Sequence, residues 1–362
     1  MRAGIQRVRL GDVCEISMGQ APDSSSYNED KEGLPFYQGN ADFGKVFPAP
    51  RVWCSNPTKV AEPGDLLISV RAPIGALNFA NEKCCIGRGL AGIRALHDVE
   101  IGYLFYALKS KVQSLNKLGT GSTFKAINKN ALIGIDISLP PLAEQKRIAV
   151  KLDLLCEIIS KREEQLVKLK QLAKSRFVEM FGDVVLNDKG WPIKTLPEIG
   201  ENLDGKRIPI TSGSRKPGPY PYYGASGIVD HVEGYIFDED ILLISEDGAN
   251  LLMRSTPIAF SATGKVWVNN HAHVMRFSDL ATQKYIECFV NAISIENYVT
   301  GTAQPKLNQA KLNSIPIPFP PVMLQREYAA FIQQLDKSEF AIRKRLEKAR
   351  LLYHAKLQEF FG

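Results

Sequence analysis

Several features that would place this 362-residue chain in a special class are missing. No stretch approaches the roughly 18 consecutive apolar residues of a membrane span, and residues 1–13 carry charges without an apolar signal core behind them. The six cysteines include no CxxC pair, which disfavours a zinc site or a disulfide framework. The net charge of +6 is small, so nucleic-acid binding would need a local basic patch. We expect a cytoplasmic globular protein of two or three domains with free thiols.

A recognisable catalytic or cofactor-binding constellation is also missing. Residues 200–206 resemble a phosphate loop, but Arg207 replaces the Ser or Thr that would bind magnesium. Residues 56–59 resemble an amino-methyltransferase tetrapeptide, but its fourth position is a lysine, which cannot stack on a target base. His271 and His273 share one face of a predicted strand without a third ligand at suitable spacing. We assign no catalytic residue, no bound cofactor and no metal, and expect a binding protein.

A long internal repeat is the strongest positive signal. Residues 121–182 match residues 301–362 at 16 of 62 positions without a gap, always at an offset of 180. The identical pairs include Gly121 and Gly301, Asn128 and Asn308, Leu132 and Leu312, Gln145 and Gln325, and Phe181 and Phe361. Ahead of these tails the likeness is weaker and needs gaps. The pattern predicts two similar halves, each with a divergent front and a better-kept tail.

The tails predict two long helices. After each Pro-Pro pair, at 140–141 and 320–321, the apolar residues recur at steps of three, four or seven, with dense charges between them. Each run of about 40 residues would leave its apolar stripe wet if isolated, so we expect the helices to pair as an antiparallel coiled coil. The alternative is that each helix packs separately on its own domain. The predicted pairing residues are Ile148, Leu152, Leu155, Leu166, Leu169, Phe177, Ile332, Leu335, Leu346, Tyr353 and Leu357.

The fronts predict α+β domains. They are punctuated by Gly and Pro, and short apolar runs such as 65–70 and 133–139 favour short strands with long loops. Helical windows at 102–115 and 281–292 interrupt the strands. The predicted division is one recognition domain at 1–140, a helix at 141–182, a second domain at 183–320 and a second helix at 321–362.

A duplicated domain on a rigid spacer suits a ligand that repeats along an axis, and double-stranded DNA read at two half-sites is the leading case. Arginine suits guanine edges, glutamine and asparagine suit adenine edges, and lysine suits phosphates. The candidate DNA-binding residues are Gln38, Asn40, Lys45, Arg71, Arg88, Lys125, Lys216, Arg254, Lys265, Gln304 and Lys306. The alternative for each of them is a solvated loop side chain.

The junction between the first front and the first helix carries a family resemblance. Residues 135–148, IDISLPPLAEQKRI, closely resemble the start of the first helical region in specificity (S) subunits of type I restriction-modification systems. The resemblance covers the whole chain, in which two target-recognition domains alternate with two helical regions. The second copy departs from the pattern at residues 322–327.

The resemblance implies a non-catalytic DNA-recognition subunit. It would dock two modification subunits, which bring S-adenosylmethionine and methylate adenine at N6, and restriction subunits that use ATP and magnesium. Each domain would read one half of a split target in double-stranded DNA, and the helices would set the gap. The candidate docking residues are Glu144, Lys151, Arg162 and Lys168. The alternatives are a solvated charged helix face at that surface and, for the chain, a stand-alone DNA-binding regulator, an enzyme with an unrecognised motif or a coiled-coil scaffold.

Overall fold

The computed structural model describes residues 6–119, 125–301 and 303–362 and divides the chain into two compact units. Unit 1 comprises residues 1–163 and 344–362, and unit 2 comprises residues 164–343. The unit boundaries fall inside the two long helices, so each unit combines one front with part of both helices. The Gly-Ser-Thr motif at 121–123 lies outside the described residues, as does its counterpart residue 302.

Unit 1 is built from eleven described strands, four short helices and parts of the two long ones. The strands are β1 (Gln6–Arg9), β2 (Cys14–Met18), β3 (Tyr27–Asn28), β4 (Leu34–Tyr37), β5 (Val52–Cys54), β6 (Val60–Ala61), β7 (Leu66–Ser69), β8 (Leu77–Phe79), β9 (Cys84–Ile86), β10 (Leu90–Ala95) and β11 (Asp136–Leu139). The helices are α1 (Leu10–Val13), α2 (Ile101–Ser110), α3 (Val112–Leu118), α4 (Lys129–Ile133) and the first part of α5 (Leu142–Phe181). The strands form sheets of order β2-β10-β7-β8, β3-β5-β4-β9-β6 and β1-β11.

Unit 2 has the same kind of architecture. Its strands are β12 (Ile193–Lys194), β13 (Glu201–Asn202), β14 (Pro217–Gly224), β15 (Gly227–Val232), β16 (Phe237–Asp238), β17 (Ile241–Ser245), β18 (Ala259–Ala262), β19 (Lys265–Val268), β20 (Ala272–Arg276) and β21 (Ile317–Pro318). Its helices are α6 (Leu196–Ile199), α7 (Asn250–Met253), α8 (Leu280–Ala292), α9 (Gln309–Asn313) and the first part of α10 (Val322–Phe361). The sheets have the orders β13-β20-β17-β18, β15-β14-β19-β16 and β12-β21.

The internal repeat extends to the sheet topology. In the sheet β2-β10-β7-β8, the last strand in the chain lies between the first and the second, and β13-β20-β17-β18 repeats this order. In the second sheet of each unit, a parallel pair recurs as β4 with β9 and as β14 with β19. The two fronts therefore share one α+β fold despite their divergent sequences, which confirms the predicted fold class.

The repeated identities in the tails have local structural reasons. The side chains of Asn128 and Asn308 begin α4 and α9, where each accepts a hydrogen bond at 2.9 Å from the backbone N–H three residues on. Because α4 runs to Ile133, the strand predicted at 133–139 begins only at Asp136. The buried Gln145 and Gln325 occupy equivalent positions in the first turns of α5 and α10, and each donates to the carbonyl oxygen of the proline five residues before it.

The long helices run antiparallel. In unit 1, Arg350 donates to Glu163 at 2.6 Å, and in unit 2, Arg176 donates to Glu327 at 2.8 Å. Positions on α10 therefore fall as positions on α5 rise. Of the predicted pairing residues, those that are buried are Ile148, Leu152, Leu155, Phe177, Ile332, Leu346 and Tyr353, and those that are half-buried are Leu166, Leu169, Leu335 and Leu357.

Each unit has its own apolar core, to which the helices contribute. In unit 1, Leu152 of α5 joins a buried cluster with Leu104 of α2 and Ile93 of β10. In unit 2, four aromatic rings meet in one cluster. Phe181 lies 4.8 Å from Tyr285 and 5.3 Å from Tyr328 between ring centroids, and Phe177 lies 5.4 Å from Tyr328. Among the described helices, none is long and apolar enough to cross a membrane.

Candidate nucleic-acid interface

Four loops of unit 1 meet at one place, which we call junction 1 and define as residues 37–38, 70–72, 87–89 and 125–127. Gly87 N donates to Tyr37 O at 2.8 Å, and Val70 N donates to Gly89 O at 2.9 Å. Ile127 N then donates to Val70 O at 2.9 Å. These backbone bonds join segments that lie far apart in the sequence, so side chains from all four loops share one surface.

Junction 1 is cationic on its exposed side. Arg71, Arg88 and Lys125 are all exposed, and none of them forms an ion pair with a carboxylate of the described residues. Gly89 permits the close approach of the loops, because a Cβ there would overlap the carbonyl oxygen of Gln38. Gln38 is itself exposed beside these cations. The arrangement offers guanidinium and amide groups to base edges and an ammonium group to phosphate.

The other two candidates of unit 1 lie elsewhere. Lys45 is exposed, but its ammonium group donates a hydrogen bond to the hydroxyl of Ser160 on α5. Asn40 is half-buried in the short turn Asn40–Asp42. The structure therefore brings together Gln38, Arg71, Arg88 and Lys125.

Unit 2 contains the equivalent junction, which we call junction 2 and define as residues 223–224, 246–248, 269–271 and 305–307. Asn269 N donates to Tyr223 O at 3.1 Å, and Glu246 N donates to His271 O at 2.9 Å. Leu307 N donates to Glu246 O at 2.7 Å. These three bonds match the three that define junction 1, so the backbone scaffold is repeated although the side chains differ.

A buried ionic network supports junction 2 from below. His273 is 1% exposed, and its Nδ1 lies 2.6 Å from Asp204 Oδ2 while its Nε2 lies 2.7 Å from Leu307 O. Glu246 accepts from Arg207 at 2.6 Å and lies 3.1 Å from the ammonium group of Lys306. Every charged group in this network therefore has an opposite charge or a hydrogen-bond partner.

The network holds its carboxylates in the charged form. Burial raises the pKa of Asp204, but hydrogen bonds from His273 and from Val274 N outweigh it, so the pKa lies below its ordinary value. Burial likewise raises the pKa of Glu246, and the hydrogen bond from Arg207 and the charges around it lower it below its ordinary value. Within the described residues, Asp204, Glu246 and His273 are the only group close enough to share a metal ion. Because arginine and lysine already neutralise Glu246, we assign no metal.

The remaining candidates of unit 2 are scattered. Arg254 has a left-handed φ of 51° and caps the C-terminal end of α8 by donating to Ile293 O at 2.9 Å. Burial lowers the pKa of its guanidinium. Lys216 is 3.8 Å from Glu233, and Lys265 lies 4.9 Å from the ring centroid of Tyr235.

Only two of the unit 2 candidates belong at junction 2 or beside it. Lys306 is part of the junction, and the exposed Gln304 directly precedes its last segment. Sequence reasoning missed Asn270, His271 and Asp247 as members of this surface. The signal was available, because Arg71 and Asp247 each stand two residues after the serine that ends the matching apolar runs.

The predicted docking residues lie along the first part of α5 and beyond it. Glu144 accepts from Arg147 at 2.6 Å, and Lys168 lies 2.7 Å from Glu164. Lys151 and Arg162 are half-buried. Exposed apolar side chains accompany these charges, including those of Val150 and Leu154, which are 66% and 55% exposed. The face is therefore mixed in character, and a role in docking stays a prediction.

Two recognition units with a repeated loop scaffold and a pair of antiparallel helices define a class of DNA-specificity proteins, and comparison with known proteins agrees. Residues 3–171 and 188–350 match the family described as type I restriction modification DNA specificity domain. The chain belongs to this family.

Individual relatives support the assignment. The chain is 49% identical over 161 residues to a putative type I restriction enzyme MjaX specificity subunit of Methanocaldococcus jannaschii, covering 43% of this chain and 38% of that protein. It is 22% identical over 392 residues to the EcoDI specificity subunit of Escherichia coli, covering 94% and 83%. The S subunit of M. genitalium has a similar fold, with a TM-score of 0.67 at 16% identity over 100% of this chain and 97% of that one. The match thus spans well under half of the MjaX subunit.

Proposed function

We propose that this chain is the DNA sequence-specificity subunit of a type I restriction-modification complex and reads a bipartite target in double-stranded DNA. Each unit would read one half-site with its loop junction. The observation that carries the proposal is that one backbone scaffold occurs twice with different exposed side chains. Arg71 and Arg88 are presented in unit 1, and Asp247 and Asn270 stand at the equivalent positions in unit 2. Two different half-sites are what such a pair of surfaces suits.

The partners in this proposal carry the chemistry. Two modification subunits would dock on the chain, bind S-adenosylmethionine and methylate adenine at N6, and restriction subunits would use ATP and magnesium. The chain itself would be non-catalytic. Its antiparallel helices would set the number of base pairs between the half-sites, because both helices contribute to each unit. The face around Glu144, Lys151, Arg162 and Lys168 is the candidate docking surface.

The test is a map of N6-methyladenine in cells that carry the neighbouring modification subunit, with and without this chain. The expected result is a split motif that is methylated only when the chain is present. The matched control is the same strain with a chain in which residues 142–147 are deleted, which removes the start of α5. A methylation pattern that is identical with and without the chain, although the complex assembles, would overturn the proposal.

A further inference from the structure

The two loop junctions differ in the sign of charge at one matched position. An isolated backbone bridge joins Arg71 to Ala126 in junction 1, and the equivalent bridge joins Asp247 to Lys306 in junction 2. The next residue repeats the match, since its N–H donates to the residue before the bridge partner at 3.2 Å in unit 1 and at 3.0 Å in unit 2. Asp247 therefore occupies in unit 2 the place that Arg71 occupies in unit 1.

The carboxylate of Asp247 is held in place with one oxygen available. Its Oδ2 lies 2.7 Å from His271 Nδ1, and the two side chains are 17% and 48% exposed. His271 is itself fixed, because its backbone N donates to Asn269 Oδ1 at 2.8 Å. Among the residues that the structure describes, no group donates a hydrogen bond to Oδ1 of Asp247. The position therefore presents a fixed acceptor at the surface of the junction.

A carboxylate restricts what this position can contact on DNA. It repels phosphate, so it cannot serve as a backbone contact. In the major groove, the exocyclic amino groups of cytosine and adenine are the donors. Adenine N6 lies next to N7, whose lone pair repels a carboxylate, whereas cytosine N4 lies next to a C–H group. Cytosine is thus the better partner.

The geometry points to Asp247 as a specificity-determining residue that accepts a hydrogen bond from N4 of a cytosine in the half-site read by unit 2. His271 is its positioning residue. At the matched place in unit 1, Arg71 faces the opposite requirement and suits the acceptors O6 and N7 of guanine. This inference rests on the proposed function and deepens it, because it assigns a base class to a particular side chain.

The test replaces the carboxylate by an amide in the assembled complex. Asn presents a donor and an acceptor that match N6 and N7 of adenine, so Asp247→Asn is expected to change one cytosine of the methylated motif to adenine. The ratio of methylation at cytosine-containing to adenine-containing sites should fall at least about tenfold. The other half-site should stay unchanged. The control is Asp238→Asn, which removes an exposed carboxylate from β16 of the same unit and should leave the motif intact.

The outcomes separate this inference from the proposed function. A chain-dependent split motif that Asp247→Asn leaves unchanged, or changes in both halves, overturns the role of Asp247 alone. A wild-type motif without a G·C pair in either half does the same. If Asp247→Asn abolishes methylation, the complex is titrated with duplexes that carry each base pair at each position. An unaltered order of preference then overturns the inference, and a shift from cytosine to adenine supports it.

Discussion

The start of α5 depends on the buried side chain of Gln145, and replacing it with leucine tests the packing of unit 1. Gln145 is 1% exposed, donates to Pro140 O at 2.8 Å and to Asp98 O at 3.0 Å, and accepts from Glu100 N at 2.9 Å. Leucine has a similar volume and makes none of these bonds. Pro140 O would stay buried without a partner, whereas Asp98 O is close to solvent and can be rehydrated.

The expected loss follows from these three groups. A buried group without a partner costs about 1–3 kcal/mol, so one buried carbonyl and one half-buried N–H together cost about 2–4 kcal/mol. Since each 1.4 kcal/mol is a factor of ten, amides that exchange by opening of unit 1 should exchange about 30 to 1,000 times faster in Gln145→Leu. Hydrogen exchange read by mass spectrometry measures this peptide by peptide.

Two further variants sharpen the assay. Gln171→Leu alters an exposed glutamine on the same helix and should change exchange by less than about threefold, since surface substitutions cost within about 0.5 kcal/mol. Gln325→Leu removes the equivalent buried glutamine and should accelerate exchange in unit 2 peptides instead. If Gln145→Leu exchanges like Gln171→Leu throughout unit 1, the hydrogen bonds of Gln145 do not support that unit and the reasoning fails.

Three other outcomes are expected. Leu152→Asp combined with Leu335→Asp places carboxylates in the helix pair and should change the solution scattering profile of the chain; an unchanged profile would exclude the helix pair as the spacer. Arg71→Ala with Arg88→Ala should weaken DNA binding by the complex and reduce the slope of log affinity against log salt by about 2, and an equal slope would remove both from the interface. The folded state lowers the pKa of Asp204, so its stabilising effect is present above the ordinary carboxyl pKa and disappears as pH falls below it. Asp204→Asn should therefore lower the urea midpoint at pH 7, with the difference from wild type shrinking toward pH 3.

The helices could be predicted from the sequence because their signals are local. The apolar period after each Pro-Pro pair extends over 40 residues, and the structure has helices at Leu142–Phe181 and Val322–Phe361. The order of strands in the fronts could not be predicted. In both units the first and last strands of a sheet are neighbours, and such long-range pairing leaves no periodic trace in the sequence.

The candidate site was predictable only in part, for a similar reason. Arg71, Arg88 and Lys125 were selected one by one for their chemistry, and backbone bonds between distant loops bring them together. Arg254 has the same chemistry, but its left-handed backbone turns its guanidinium toward the end of α8. Asp247 was missed because the search favoured cations, although its alignment with Arg71 follows from the repeat.

The central claim is that each unit reads one half of a split target, and exchanging one front tests it most directly. Residues 1–140 are replaced by the corresponding segment of another family member, and N6-methyladenine is mapped in cells that carry the modification subunit. The account predicts that one half-site changes while the other half-site and the number of base pairs between them stay the same. A change in both half-sites, or no change in either, would contradict it.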